Sequence, residues 1–255
     1  MAIINLVNRA DDAGLNHSTN RAIRSAVKQG IVRNISLLAT APAIEDASEI
    51  LADLQNSVDF GLHACLTSEW RFPRYKPLDS SVQSMIRDDG SFPSSLDELA
   101  THAPKTDEVI REITAQYEKL ISLGFELSYL DEHMSVGDIA GIADVLTDFA
   151  KERDLVYDRT LQNAQVISPL VGWQGPGPHP GTELADHLSS TPAGTYLVIG
   201  NPGFKSDEMQ QLRRDVGGDY DALQERNRQR RMFADIEIVD YCENARVKLL
   251  RYTDL

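Results

Sequence analysis

Residues 3–14 read IINLVNRADDAG, and this stretch decides the fold class. Its first five residues, 3–7, are rich in β-branched side chains, which favours a buried first strand. The polar sequence RADDAG follows at once and is expected to form a loop at the end of that strand. Ser18 or Thr19 is then predicted to cap a helix, because apolar residues recur after them at helical spacing. The stretch therefore predicts a first βα unit.

The same alternation continues through the rest of the chain. Further strands are predicted at residues 35–39, 58–63, 127–130, 155–157, 194–200 and 246–252. The main helices after the first are predicted from Pro42 and at residues 107–122, 138–153 and 219–242. Repeated βα units without a hairpin signal indicate a parallel sheet covered by helices. About seven strands favour a TIM-like (β/α) barrel over an open sheet.

The chain is predicted to be a single domain over residues 1–255, with one long irregular loop. That loop spans about residues 67–104 and is rich in Pro, Ser, Asp and Gly. Irregular segments of this length inside a compact domain usually cover an active site or bind a substrate. Its aromatic residues Trp70, Phe72 and Tyr75 could stack on a sugar ring or pack on the rim of the barrel, and both interpretations stay open.

Composition excludes several classes of function. The chain carries 25 basic and 39 acidic residues, for a formal charge of -14. Such an acidic surface repels phosphate backbones and anionic lipids, so we expect neither a nucleic-acid partner nor a membrane partner. The two cysteines, Cys65 and Cys242, cannot build a disulfide framework and are typical of a cytoplasmic protein.

Polar residues that suit hydrolytic chemistry follow several predicted strands. Asp11 and Asp12 follow the first strand, His63 ends the third, and a group of three residues (Asp131, Glu132 and His133) follows the fourth. Arg159 and Asn201 follow the next two strands. In a parallel barrel these positions meet at the carboxyl-terminal face. Carboxylates and imidazoles converging there could hold a catalytic divalent ion, while a second carboxylate moves a proton.

Six motifs together resemble one known family. They are RADDAGL at 9–15, NRAI at 20–23, GLHACLTSEW at 61–70, YLDEHM at 129–134, NPGF at 201–204 and VKLLRYTDL at 247–255. In order and spacing this set resembles the YdjC-like carbohydrate deacetylases, relatives of the polysaccharide deacetylase superfamily. The resemblance covers the chain from residue 3 onwards. It implies an irregular (β/α) barrel, in agreement with the strand pattern.

The resemblance also implies roles for particular residues. Asp12, His63 and His133 would hold one divalent ion, zinc or magnesium, and Asp11 would be the general base. Arg159 would lie near that base and keep it ionised. The implied substrate is an N-acetylated mono- or oligosaccharide whose acetamide is hydrolysed, and a homodimer is left open as the assembly.

The chain departs from the family pattern at Asn201. Relatives usually have a histidine there as the proton donor, and an asparagine side chain cannot donate a proton to an amine leaving group. His179 is a minor candidate for that role. Two further interpretations therefore stay open: a metal-dependent amidase or esterase for a non-sugar substrate, and a sugar-binding barrel with impaired catalysis.

Overall fold

A computed structural model of the chain describes residues 3–215, 220–245 and 247–255. Within them, eight strands form one sheet, at Ile4–Ala13 (β1), Asn34–Leu37 (β2), Asp59–Ala64 (β3), Leu127–Glu132 (β4), Val156–Tyr157 (β5), Ser168–Pro169 (β6), Gly194–Gly200 (β7) and Val247–Leu250 (β8). The helices are His17–Lys28 (α1), Ile44–Ile50 (α2), Leu96–Thr101 (α3), Thr106–Ser122 (α4), Ile142–Glu152 (α5), Asp158–Asn163 (α6), Pro180–Ser190 (α7), Asp207–Gln211 (α8), Ala222–Ala234 (α9) and Ile236–Asn244 (α10).

The sheet is parallel and curled, as the βα pattern predicts. Its strands follow the order β5-β4-β3-β2-β1-β7-β6, and every strand pair is parallel. This is the arrangement of an irregular TIM-like barrel. The carboxyl ends of β1, β3, β4 and β7 consequently lie at one face, where the side chains at the ends of these strands can meet.

Strand β1 has β7 along one edge and two strands in succession along the other. β8 pairs with its first half, through Ile4 to Val7, and β2 pairs with its second half, from Arg9 onwards. Asn34, in β2, links its strand to β1 and β8. Its side-chain amide donates to the carbonyl oxygens of Asn8 in β1 and Leu250 in β8. Its side-chain oxygen accepts from the backbone N–H of Tyr252, so all polar atoms of this buried amide are paired.

The helices pack by apolar faces that the sequence shows. In α1, Ala22, Ile23 and Ala26 recur at helical spacing and are all fully buried. The N-cap of α1 is Asn16, whose side chain accepts from the backbone N–H of Thr19. The expected caps, Ser18 and Thr19, are wrong, because both residues already lie inside the helix and are buried.

Three other expectations differ from the structure. Strand β1 continues to Ala13, so residues 9–13 of the predicted loop belong to the strand and only Gly14 lies beyond it. The helix predicted from residue 138 begins at Ile142, because a 3-10 segment, His133–Asp138, comes first. The segment 67–104 is irregular except for α3, whose N-cap Ser95 accepts from the backbone N–H of Glu98.

Two predicted element boundaries fall outside the described residues. Asp219, where the helical region 219–242 was expected to begin, and Arg246, the predicted start of the last strand, are not described. Among the residues that the structure covers, no helix has the length and apolar character needed to cross a membrane.

Candidate metal and catalytic site

The end of β1 places two neighbouring aspartates in different surroundings. The pairing register shifts between Ala10 and Ala13, and Asp12 adopts a left-handed backbone with φ of 66°. A non-glycine residue rarely has this conformation, and such strain tends to cluster at functional sites. As a result, Asp11 bonds to Arg9, whereas Asp12 bonds to Arg226. The two carboxylates can therefore serve different purposes.

Asp12, His63 and His133 converge on one point. The Oδ1 atom of Asp12 lies 3.5 Å from Nε2 of His63 and 3.4 Å from Nδ1 of His133. The two ring nitrogens lie 3.2 Å apart. All three side chains are buried. The structure thus brings together the three residues for which metal binding was expected.

Each histidine is held from behind by a carboxylate. Nδ1 of His63 lies 2.6 Å from Oδ2 of Asp131, and Nε2 of His133 lies 2.9 Å from Oε2 of Glu69. An ionised carboxylate only accepts hydrogen bonds, so each histidine donates its outer N–H to it. The inner nitrogens then point their lone pairs at Asp12 whenever the rings are neutral. A carboxylate behind a ligating histidine is a common arrangement at metal sites.

Without an ion, these charges favour the protonated form of both rings. Burial alone lowers the pKa of His63, but the carboxylates of Asp131 and Asp12 outweigh it and raise that pKa well above its usual value. The pKa of His133 is raised well above its usual value in the same way, chiefly by Glu69 against the effect of burial. Burial works to raise the pKa of Asp12, but Arg226 and the histidines hold it well below its usual range. A bound cation would replace the protons on the inner nitrogens.

The residues fit a divalent ion. Ligands at about 2.0–2.2 Å from a tetrahedral ion lie roughly 3.3–3.6 Å from one another, close to the separations found here. The Oδ1 atom of Asp12 is buried and has no hydrogen-bond partner among the described residues. Its Oδ2 atom accepts from Arg226 at 2.6 Å and from Asn201 at 2.9 Å. Asp12 would therefore offer the ion one oxygen, and two imidazoles with one carboxylate are typical of zinc-type sites.

The guanidinium that holds Asp11 belongs to Arg9, and the role expected for Arg159 is corrected. Nε of Arg9 donates to Asp11 at 2.7 Å, and Nη2 donates to the other oxygen of Asp11 at 3.1 Å. The physical reason is the strand itself, since residues two apart on a strand project from the same face. Burial alone lowers the pKa of Arg9, but Asp11, Asp131 and other acidic neighbours raise it well above its usual value.

Arg9 also links Asp11 to the surrounding network. Its Nη2 lies 3.1 Å from Asp131, and its Nη1 lies 3.2 Å from Asp158 and donates to the hydroxyl of Tyr252 at 3.0 Å. That hydroxyl in turn donates to Asp158 at 2.7 Å. One buried cation thus separates three carboxylates that would otherwise repel one another.

Arg159 instead contacts Glu132 and Asp138. Its Nε and Nη2 donate to the two oxygens of Glu132 at 2.6 and 2.7 Å, and Nη2 also reaches Asp138 at 2.8 Å. These side chains form one wall of a cavity of about 440 Å³. The cavity is lined by Arg9, Asp11, Asp131, Glu132, Met134, Ser135, Asp138, Asp158, Arg159, Gln162, Asn163 and Ile199. Asp11 therefore faces a space large enough for a small substrate, and Arg159 lines that space without touching Asp11.

Comparison with known proteins assigns the family. The family model described as "YdjC-like protein" matches residues 5–244. The chain belongs to the YdjC-like family. The match confirms the resemblance carried by the six sequence motifs.

Similar proteins support this membership. A carbohydrate deacetylase of Thermoanaerobacter pseudethanolicus is 24% identical over 98% of both chains. A carbohydrate deacetylase of Listeria monocytogenes is 31% identical over 51% of each chain. A solved structure from Enterococcus faecalis, described as a putative cellobiose-phosphate cleavage protein, superposes with a TM-score of 0.80 at 18% identity and covers 99% of both chains. That last likeness shows that the fold is shared.

Asn201, at the usual proton-donor position of this YdjC-like chain, and His179, the minor candidate for that role, lie in different surroundings. Asn201 donates its side-chain N–H to Asp12 at 2.9 Å, and its backbone N–H donates to the side chain of Gln229. His179 is exposed at the N-cap of α7, where its backbone N–H donates to Glu183. Asn201 thus belongs to the surroundings of Asp12, and His179 belongs to a helix start at the surface.

The three aromatic residues of the long loop divide into two groups. Trp70 and Tyr75 are fully buried, whereas Phe72 is 76% exposed. Trp70 and Tyr75 therefore pack inside the molecule, and only Phe72 presents an open ring face on which a sugar could stack.

Sequence reasoning missed three residues of the site. Arg9 could have been found, because it stands two positions before Asp11 on the same strand. Glu69 lies in the motif GLHACLTSEW at 61–70, but nothing in its sequence context indicates a contact with His133. Arg226 lies in the middle of α9, where a charged residue usually faces solvent, and only the folded chain brings it to Asp12.

Proposed function

We propose that this chain is a metal-dependent carbohydrate deacetylase that hydrolyses the acetamide of an N-acetylated mono- or oligosaccharide. The observation that carries the proposal is the convergence of Asp12, His63 and His133, with a carboxylate behind each histidine, in a member of the YdjC-like family. The curated relatives are carbohydrate deacetylases. The proposal includes a cytoplasmic location, because two cysteines cannot build a disulfide framework.

In this proposal, Asp12, His63 and His133 bind one divalent ion through Oδ1, Nε2 and Nδ1. When bound, such an ion lowers the pKa of water and polarises a carbonyl group, which is the chemistry that amide hydrolysis needs. The donor set favours zinc over magnesium, because magnesium prefers oxygen ligands. Asp131 and Glu69 orient the two rings and fix which nitrogen faces the ion.

Asp11 is proposed as the general base. A carboxylate oxygen of Asp11 would take the proton of the attacking water as the water adds to the acetamide carbon. Arg9 keeps that carboxylate oriented, and Arg159 lines the same cavity and would help to position the sugar. Asn201 would orient Asp12 through its amide. Residues 1–255 would act as a single domain, with the segment after β3 covering the site.

The deciding experiment measures metal and product in the same preparation. Protein purified without added ions is analysed for metal content, and acetate release from N-acetylated sugars is then followed with Zn²⁺ or Mg²⁺ supplied in turn. A His63→Ala, His133→Ala double variant should fold but lose both metal and activity. Full metal content in that double variant would contradict the proposal.

The alternatives have distinct outcomes in this assay. An amidase or esterase for another substrate would hydrolyse simple acyl amides or esters and leave acetylated sugars intact. A barrel with impaired catalysis, which Asn201 keeps open, would bind metal and sugar but release no acetate.

A further inference from the structure

The first part of the long loop packs beside the proposed metal-binding triad (Asp12, His63 and His133), through contacts to His133 and Arg226. Glu69 bonds to His133, and the ring of Trp70 lies under the guanidinium of Arg226 at 5.4 Å. The ring of Tyr75 meets the His133 ring edge to face, with 6.2 Å between their centres. This short segment therefore closes one side of the site.

Tyr75 has an unusual hydroxyl group. The residue is fully buried, and its hydroxyl has no hydrogen-bond partner among the described residues. Two other fully buried tyrosines differ in this respect, because the hydroxyl of Tyr129 bonds to Ser36 and that of Tyr252 bonds to Asp158. A buried hydroxyl without a partner is costly, so it needs an explanation.

The surroundings of Tyr75 indicate what the hydroxyl is for. Burial, together with the carboxylates of Glu69 and Asp12, raises the pKa of the Tyr75 hydroxyl well above its usual value, against the effect of Arg226. Glu69 and Arg226 contact the proposed metal ligands, and Asp12 is one of them. A phenol keeps its proton at neutral pH and is therefore a donor. Among the donors beside Asp12, Asn201 and Nη2 of Arg226 are occupied, whereas Nε and Nη1 of Arg226 have no partner among the described residues.

We propose that the Tyr75 hydroxyl is a catalytic hydrogen-bond donor to the acetamide oxygen of the substrate. The proposal rests on the deacetylase function proposed above. As water adds to the acetamide carbon, negative charge develops on that oxygen, and a fixed donor in a dry site stabilises it strongly. The hydroxyl keeps its proton throughout, so this step makes or breaks no bond at Tyr75. Tyr75 thus supports the attack, a different step from proton delivery to the leaving amine.

The test is Tyr75→Phe, which removes only the hydroxyl. Loss of one such donor typically lowers kcat by about 10²–10³, and we expect this loss with KM nearly unchanged. Metal content should equal that of the wild type, because the hydroxyl is not a ligand. Tyr117→Phe is the matched control, since Tyr117 packs on Phe149 on the outer helices and should keep full activity.

A binding measurement makes the result independent of turnover. Acetohydroxamate, titrated calorimetrically into zinc-loaded protein, would offer its carbonyl oxygen at the position proposed for the acetamide oxygen of the substrate. Its Kd should rise at least tenfold in Tyr75→Phe. An unchanged Kd, or a kcat above half the wild-type value, would overturn the role of Tyr75.

The two proposals fail in different ways. If wild-type protein releases no acetate from any N-acetylated sugar, the deacetylase function is wrong, and the hydroxamate titration still decides whether Tyr75 donates to a bound carbonyl oxygen. If Tyr75→Phe does not fold, 3-fluorotyrosine at position 75 keeps the ring and strengthens the donor. Hydroxamate should then bind more tightly than to the wild type, and unchanged binding would overturn the proposal.

Discussion

Replacing Asp131 with asparagine tests whether the carboxylates behind the histidines tune metal binding. Asp131 accepts from Nδ1 of His63 at 2.6 Å, a short bond between a ring N–H and an anion. Asparagine can still accept that bond through its oxygen, but without the charge. Hydrogen bonds to charged groups contribute about 1.5–3 kcal/mol and neutral ones about 0.5–1.5 kcal/mol, so the loss is about 1–1.5 kcal/mol. This loss corresponds to roughly a tenfold weaker Kd for the metal.

The assay is a calorimetric titration of metal-free protein with Zn²⁺ in the presence of a competing chelator. Glu69→Gln should weaken binding to a similar extent, because Glu69 holds His133 as Asp131 holds His63. Asp148→Asn, at an exposed position of α5, is the control and should bind zinc like the wild type. Equal zinc affinity in Asp131→Asn and wild type would refute the idea that His63 binds metal through Nε2 with Asp131 behind it.

Three further predictions concern protons. Asp11→Asn should keep its metal but lose about 10²–10⁴ in acetate release, and a parallel loss of metal would mean that the two aspartates have exchanged roles. Asn201→His should raise turnover of N-acetyl substrates more than that of O-acetyl substrates, because an amine needs a proton to leave; equal gains, or none, would argue against it. The raised pKa of His63 and His133 stabilises the metal-free fold fully below pH ~6.5, and this contribution is lost as the pH rises through their folded-state values. Zinc should bind more tightly as the pH rises, because it must displace fewer protons from the two histidines. The Tm difference between zinc-loaded and chelator-treated protein should therefore widen with pH, and a constant difference would exclude proton release.

Much of the fold could be predicted because seven of the eight strands in the described residues form apolar runs that the local sequence shows; β6, Ser168–Pro169, is only two residues long and was not predicted. The runs that became β1, β3 and β7 are apolar and short, and the positions at their ends carry Asp12, His63 and Asn201. In a parallel barrel, the side chains at the carboxyl ends of the strands all lie at the same face of the barrel. The candidate ligands could therefore be grouped before the structure was known.

The supporting contacts could not be predicted, because they depend on tertiary packing. Arg226 reaches Asp12 across 214 positions of sequence, and Glu69 reaches His133 from a segment without regular structure. The resemblance implied Arg159 as the partner of Asp11, but that side chain is occupied by Glu132. Neither periodicity nor a motif encodes which of several arginines faces a given carboxylate.

The bond between Arg9 and Tyr252 has a consequence for the order of folding. It joins residues 243 positions apart, so the cation beside Asp11 gains this acceptor only after residue 252 has left the ribosome. Contacts of such long range form slowly, because the chain must close a large loop before they stabilise anything. During synthesis, β1 can therefore emerge long before Tyr252, the hydrogen-bond acceptor of Arg9, has been made. The hydrogen bonding of Arg9 in β1 is therefore completed by a side chain made 243 residues later.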